Sequence, residues 1–240
     1  MEHAARFEEV QIQLPETLGG VDQLSAVLGI PEWWPTGDRV AVAIAHDAES
    51  DLHDPLVETV HRHLAHCKYL TLRFNLPFAE PGHNAEAQSP EILDRAFRAA
   101  LSVLGRDPTA APSHLFLGGV GSGATIAARL ASDRLQVDGV FFLGYPLHAS
   151  GKNELTAADA LFRIVPAMLF VQGTQDPACD LPHLRRVLSR TGAQTTLRIV
   201  DQADHSLTVP GSSEPEQRSS RMAVAHAVAD WADRVQDGIL

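Results

Sequence analysis

The 240-residue chain is 45% hydrophobic and 20% charged, enough apolar material for one substantial core. Its formal net charge of −11 argues against a nucleic-acid partner, which needs a basic face, and against docking on anionic membrane surfaces. Residues 1–9 are too acidic for a secretory signal, no apolar run approaches a bilayer's width, and Cys67 and Cys179 make no disulfide framework, so the expected setting is a reducing cytoplasm.

Residues 7–14 alternate as a strand, with Val10, Ile12 and Leu14 on one side. Residues 15–38 give no clear pattern: Gly19-Gly20, an apolar segment at 21–30, then Pro31-Glu32-Trp33-Trp34-Pro35. The tryptophans read either as a hydrophobic plug on the sheet or as a contact for a partner or ligand. Residues 39–45 are a continuous apolar run, as in a strand covered on both faces, and end in His46-Asp47-Ala48-Glu49-Ser50-Asp51. Asp54 can cap a following helix, with Pro55 at its first position; Leu56, Val60, Leu64 and Cys67 would be its buried side. A strand at 69–74 precedes a polar loop and an amphipathic helix at 90–104, with Ile92, Leu93, Ala96, Phe97, Ala100, Leu101 and Leu104 inward.

Residues 114–130 form a short apolar run, a glycine-dense turn and an Ala-rich helical segment. Further strands are expected at 139–143, 167–171 and 195–200, with helices at 156–162, 181–189 and, after a polar connection at 212–220, at 221–235. Strands alternating with helices predict a mostly parallel central sheet with helices on both faces, one α/β domain over residues 1–240.

A strand, a glycine turn and a helix at 114–130 match the place where an α/β-hydrolase carries its nucleophile elbow, G-x-S-x-G. The five positions read Gly119-Val120-Gly121-Ser122-Gly123, so Gly121 holds the nucleophile position and the serine comes one residue late. Ser122 reads as a helix N-cap or as a substitute nucleophile. Asp176 and His205 follow at later strand ends, in the chain order of the triad acid and the general base.

Several segments resemble an α/β-hydrolase-fold group that includes testis-expressed protein thirty and subunit three of the nonspecific-lethal complex. They are Arg73-Phe74-Asn75-Leu76-Pro77-Phe78, Gly144-Tyr145-Pro146-Leu147-His148, Gly151-Lys152, the stretch from Phe170 to Pro177, and Asp204-His205-Ser206. The similarity spans about residues 39–237 and leaves 1–38 uncovered. It implies an α/β-hydrolase fold and, for an intact member, a serine nucleophile. Two departures stand out. The group's elbow resembles Gly-Lys-Ser-Met-Gly-Gly, with its serine over Gly121. Its first loop resembles His-Gly-Ala-Gly-Ala-Gly, which is His46-Asp47-Ala48-Glu49-Ser50-Asp51 here, adding negative charge beside an oxyanion hole that works by positive dipole.

Two rivals are weaker. Gly119-x-Gly121-x-x-Ala124 approximates a dinucleotide fingerprint, but two βα units precede it and no acid ends the next strand. His61, His63, His66 and Cys67 cluster on one helix without a carboxylate, and read as a solvated face rather than a metal site. Cys179 has no activating base near it in sequence. The expectation is therefore a degenerate α/β-hydrolase with a pocket among His46, Asp47, Gly121, Ser122, Tyr145, Asp176 and His205. No metal or cofactor is expected, and the occupant would be a small ligand, a protein partner or a second copy. The alternative is an active hydrolase of esters or related acyl compounds, using Ser122 or a water activated by His205 and Asp176.

Overall fold

The computed structural model describes residues 5–148 and 158–240. Eight strands form one sheet in the order β1-β2-β4-β3-β5-β6-β7-β8. The strands are β1 (Arg6–Leu18), β2 (Val21–Ile30), β3 (Val40–Ala45), β4 (Leu70–Phe74), β5 (His114–Val120), β6 (Gly139–Leu143), β7 (Ala167–Gly173) and β8 (Thr195–Val200). From β4 onward across the sheet all pairings are parallel. β1 and β2 form an antiparallel hairpin, and β2 joins β4 antiparallel. Segment 21–30 is therefore a strand; its burial does not alternate cleanly, which hides the period in the sequence. The hairpin turn falls on Gly19 and Gly20, both at positive φ, where glycine carries no steric penalty.

Helices α2 (Pro90–Leu104), α3 (Ser122–Ser132), α4 (Ala158–Leu161) and α5 (Leu181–Leu188) cover one face. Helices α1 (Pro55–His66) and α6 (Glu214–Gln236) cover the other. The strand period of two divides the core between them: Ala41, Ala43 and Ala45 of β3 face the first layer, Val40, Val42 and Ile44 the second. α1 begins as its sequence predicts, with the Asp54 carboxylate accepting from the Leu56 and Val57 N–H groups. α6 begins at Glu214 rather than 221. A capping box between Ser213 and Glu216 starts it, and its first two turns are polar enough to read as a loop. Of the helix expected at 156–162, Ala158–Leu161 is present, while 156 and 157 lie outside the described residues, as does Gly151-Lys152.

Trp34 packs against the core while Trp33 is 60% exposed, so the pair divides between plug and surface. Among the described residues no helix is long and apolar enough to cross a membrane.

Candidate active site

The sheet register brings the carboxyl ends of β3, β5, β7 and β8 to one rim. Ala45 pairs with Gly119, and Gly173 with Val200. Asp47, Ser122, Asp176 and His205 sit within a few residues of these ends, and Tyr145 just beyond the end of β6, the usual place for chemistry in a parallel sheet.

The turn after β5 has Gly121 at φ 53° and ψ −116°, directly before α3. Gly123 lets α3 approach closely: a Cβ there would press on the carbonyl oxygens of Ala45 and His46. A Cβ built on Gly121 would overlap the carboxyl group of Asp47. Asp47 thus fills the space in which a side chain at position 121 would begin. Its Oδ1 accepts two backbone N–H groups, from Ala48 at 2.7 Å and Ser122 at 2.7 Å. Its Oδ2 lies 3.7 Å from His205 Nε2 and makes no hydrogen bond among the described residues.

On the other side of the imidazole, His205 Nδ1 donates to Asp176 Oδ2 at 2.8 Å. The Asp176 side chain is fully buried, and its Oδ1 accepts the Ala178 N–H at 2.8 Å. The buried Gln172 amide also donates to Asp176 Oδ2, while Gln172 Oε1 accepts the Tyr145 N–H at 2.9 Å. The hydrogen bond to Asp176 raises the pKa of His205 above its ordinary value; the charges of Asp176, Asp47 and Asp204 add to this against the opposing effect of burial. The result is a carboxylate–imidazole–carboxylate series, Asp47–His205–Asp176, with Asp47 and His205 side chains 26% and 28% exposed.

Ser122 is the first residue of α3, and Gly121, not Ser122, holds the cap position. Its Oγ is buried without a hydrogen-bond partner, so no hydrogen bond joins it to His205. His46 does not line an opening. It is fully buried; Nδ1 donates to the Asp47 carbonyl at 2.7 Å and Nε2 accepts the Leu76 N–H at 2.9 Å. Burial lowers its pKa and keeps the ring neutral, as this one-donor, one-acceptor pattern requires. Its role is to bolt the loop that carries Asp47. Tyr145 is likewise buried, with its ring packed against Phe142 and Phe170. Both were expected at a pocket wall. Their strand-end positions suggested it, but the side chains turn into the core.

The Arg73–Phe78 segment turns out to secure the same loop. Arg73 donates to the Leu52 carbonyl at 2.6 Å, and Asn75 Oδ1 accepts the Leu52 N–H at 2.8 Å. Gln172 was missed in sequence. The signal available was a polar residue closing an otherwise apolar buried strand, where it must find partners.

Elsewhere, His61 is buried with Nε2 donating to the Val27 carbonyl, and His63 packs edge-on to His226. No group of three or more His, Cys, Asp or Glu that could hold a metal occurs among the described residues. Burial, with the charge of Asp176, pushes the Cys179 thiol up to about 12, too high for a nucleophile.

A central parallel sheet, a glycine elbow opening a helix and a His–Asp pair at later strand ends define the α/β-hydrolase class. Residues 38–233 match the family model described as alpha/beta hydrolase domain, and the chain belongs to that family. Among solved structures it is similar to a dienelactone hydrolase from Anabaena variabilis, at 21% identity over 95% of this chain and 97% of that one, with a TM-score of 0.71. It is also similar to an α/β serine hydrolase without a lid from Xanthomonas campestris (19%, 94% of each chain, TM-score 0.70). An α/β serine hydrolase homologue from Coxiella burnetii matches at 19% identity over 90% of this chain and 96% of that one, with a TM-score of 0.68. At these identities the likeness is one of fold.

Proposed function

We propose that this protein is a degenerate α/β-hydrolase that has lost acyl-serine chemistry and keeps its site, built on Asp47, His205 and Asp176, to bind a small ligand. One observation carries the reading: the Asp47 carboxylate fills the space a serine at position 121 would need. It also engages the N–H groups of Ser122 and Ala48. In an α/β-hydrolase the N–H after the nucleophile and one from the loop after the corresponding strand bind the oxyanion of the tetrahedral intermediate. A negatively charged oxygen of the protein itself stands there instead. An ester carbonyl entering this site would meet neither a nucleophile hydroxyl nor free donors. The partnerless Ser122 Oγ supports the same view against Ser122 as a substitute nucleophile. Loss of a triad serine costs on the order of 10⁶-fold in turnover, leaving slight residual hydrolysis through water. The resemblance to the testis-expressed group supports an origin in a serine-bearing site.

The test is hydrolysis of short p-nitrophenyl esters by the native chain, Ser122→Ala, His205→Ala, and the double variant Asp47→Gly/Gly121→Ser. The native chain and Ser122→Ala are expected at the buffer rate. The double variant, which clears the hole and restores the hydroxyl, is expected to gain turnover. Native turnover that vanishes in both Ser122→Ala and His205→Ala overturns the reading.

A further inference from the structure

A cavity of about 1050 Å³ lies away from the sheet rim, in the groove between α1 and α6. The helices are packed side by side there, with the His63 ring 4.3 Å from that of His226. Six of the twelve residues lining the cavity are arginine or histidine: Arg62, His63, His66, Arg218, Arg221 and His226. On a chain whose formal charge is −11, this is a local reversal of sign. We propose that the groove is a binding site for a small soluble organic phosphate. It shares no residue with the Asp47–His205–Asp176 series, and its occupancy is independent of whether that series turns over esters.

The carboxylates of the groove are already engaged. Glu58 lies 3.5 Å from the buried Arg73 and 4.0 Å from Arg62. Glu214 accepts from Arg221 Nη2 at 2.6 Å. The arginines of α6 are not used up in the same way. Arg218 is exposed and has no hydrogen bond or ion pair among the described residues. Arg221 has a side chain only 14% exposed, and its five N–H donors meet a single acceptor. The two lie one turn apart on the same face of α6, so two guanidinium forks offer free donors to one ligand. Such forks fit phosphate oxygens bidentately, and a phosphate monoester brings three acceptor oxygens with a charge of about −1.5 to −2. A carboxylate brings fewer oxygens and a single charge. Met222 and Pro55 add an exposed apolar wall beside the forks, suited to the organic part of the ligand. The cavity also matches the upper end of small-molecule sites, roughly 300–1,000 Å³, rather than a bare inorganic ion. An anionic membrane is disfavoured by the net charge, which leaves a soluble ligand.

His63 supplies a reporter. It is partly buried and is faced by His66 and Cys67 of its own helix region and by His226 and Asp230 of α6. Burial, then the neighbouring imidazoles, holds its pKa below the ordinary value. A dianion in the groove favours the imidazolium, so occupancy raises that pKa.

The experiment is calorimetric titration of the full chain with phenyl phosphate at fixed ionic strength, with benzoate and inorganic phosphate alongside. Phenyl phosphate is expected to bind one to one and more tightly than either. Arg218→Gln, at an exposed position without a partner to lose, is expected to weaken it about tenfold. Arg218→Lys keeps the charge but loses the fork, and is expected to weaken it about threefold. Arg106→Gln removes the same charge just after α2, on the other face of the sheet, and is expected to bind as the native chain does. In the native protein the His63 imidazole, followed by NMR, is expected to titrate at higher pH with phenyl phosphate bound. Vesicles containing phosphatidic acid are expected to leave the protein in solution. The proposal is overturned by equal losses in Arg218→Gln and Arg106→Gln, by benzoate or inorganic phosphate binding as tightly as phenyl phosphate, or by no binding of phenyl phosphate. Vesicle binding that Arg218→Gln abolishes overturns the soluble assignment.

Discussion

At the ends of β7 and β8, Asp176 and His205 stand where chain order and strand ends put them, and both oxygens of the acid have partners. At the ends of β3 and β5 the arrangement is different. The turn at Gly121 keeps a φ of 53° suited to an elbow, but the group that fills the site arrives from another strand's loop. On the first side, backbone position and side-chain chemistry travel together in the sequence. On the second they have separated, so that a glycine provides the space and an aspartate 74 positions earlier provides the charge. A site can thus keep its shape while the residue supplying its charge changes place.

The strongest way to sharpen this contrast is to damage the conventional side. Asp176→Ala removes a buried carboxylate and strands the Gln172 amide and the Ala178 N–H, and it is expected to cost about 3–5 kcal/mol, read as a lower urea midpoint. Gly121→Ser tests the other side. Its Cβ meets Asp47 and its φ is unfavourable for an L-residue, so a loss of roughly 1–3 kcal/mol is expected. Adding Asp47→Gly should recover part of it; if the single variant is as stable as the native chain, Asp47 does not occupy that space.

Charge coupling across the imidazole is a finer probe. Asp47→Asn is expected to lower the His205 pKa, and Asp176→Asn to lower it further because its hydrogen bond is the largest cause of the rise, as followed by imidazole NMR shifts. The sign for stability follows from the raised folded-state value. His205 stabilises the fold fully below its ordinary unfolded pKa, and the contribution is lost as pH rises through the folded value. The smallest effect is expected for Ser122→Ala. Removing a buried hydroxyl without a partner should leave stability within about 0.5 kcal/mol or raise it slightly by thermal melting.

Much of the architecture was legible in the sequence because buried parallel strands appear as unbroken apolar runs, and 39–45, 139–143 and 167–171 are such runs. The Asp176–His205 pair was legible because both follow strands directly. The role of Asp47 was not. One-dimensional pattern places its charge beside the oxyanion loop, but not whether its carboxylate reaches across to Ser122. Its signal was a complementarity of volume, a side chain lost at 121 and one gained at 47. His46 and Tyr145 misled for a related reason: the same strand-end position serves a side chain pointing outward or one turned into the core.

The hairpin at the sheet margin has a consequence for how copies of this chain meet. β1 is thirteen residues long and is an outermost strand of the sheet, a length that would ordinarily template another strand. Pro15 offers no donor there, and Glu8 and Glu9 are exposed along it. Along the strand Glu8 is paired with Arg6 at 3.0 Å, and two such margins approaching each other meet on bodies that each carry −11. Strand-by-strand growth into fibrils is opposed at this margin by electrostatic repulsion and a missing rung.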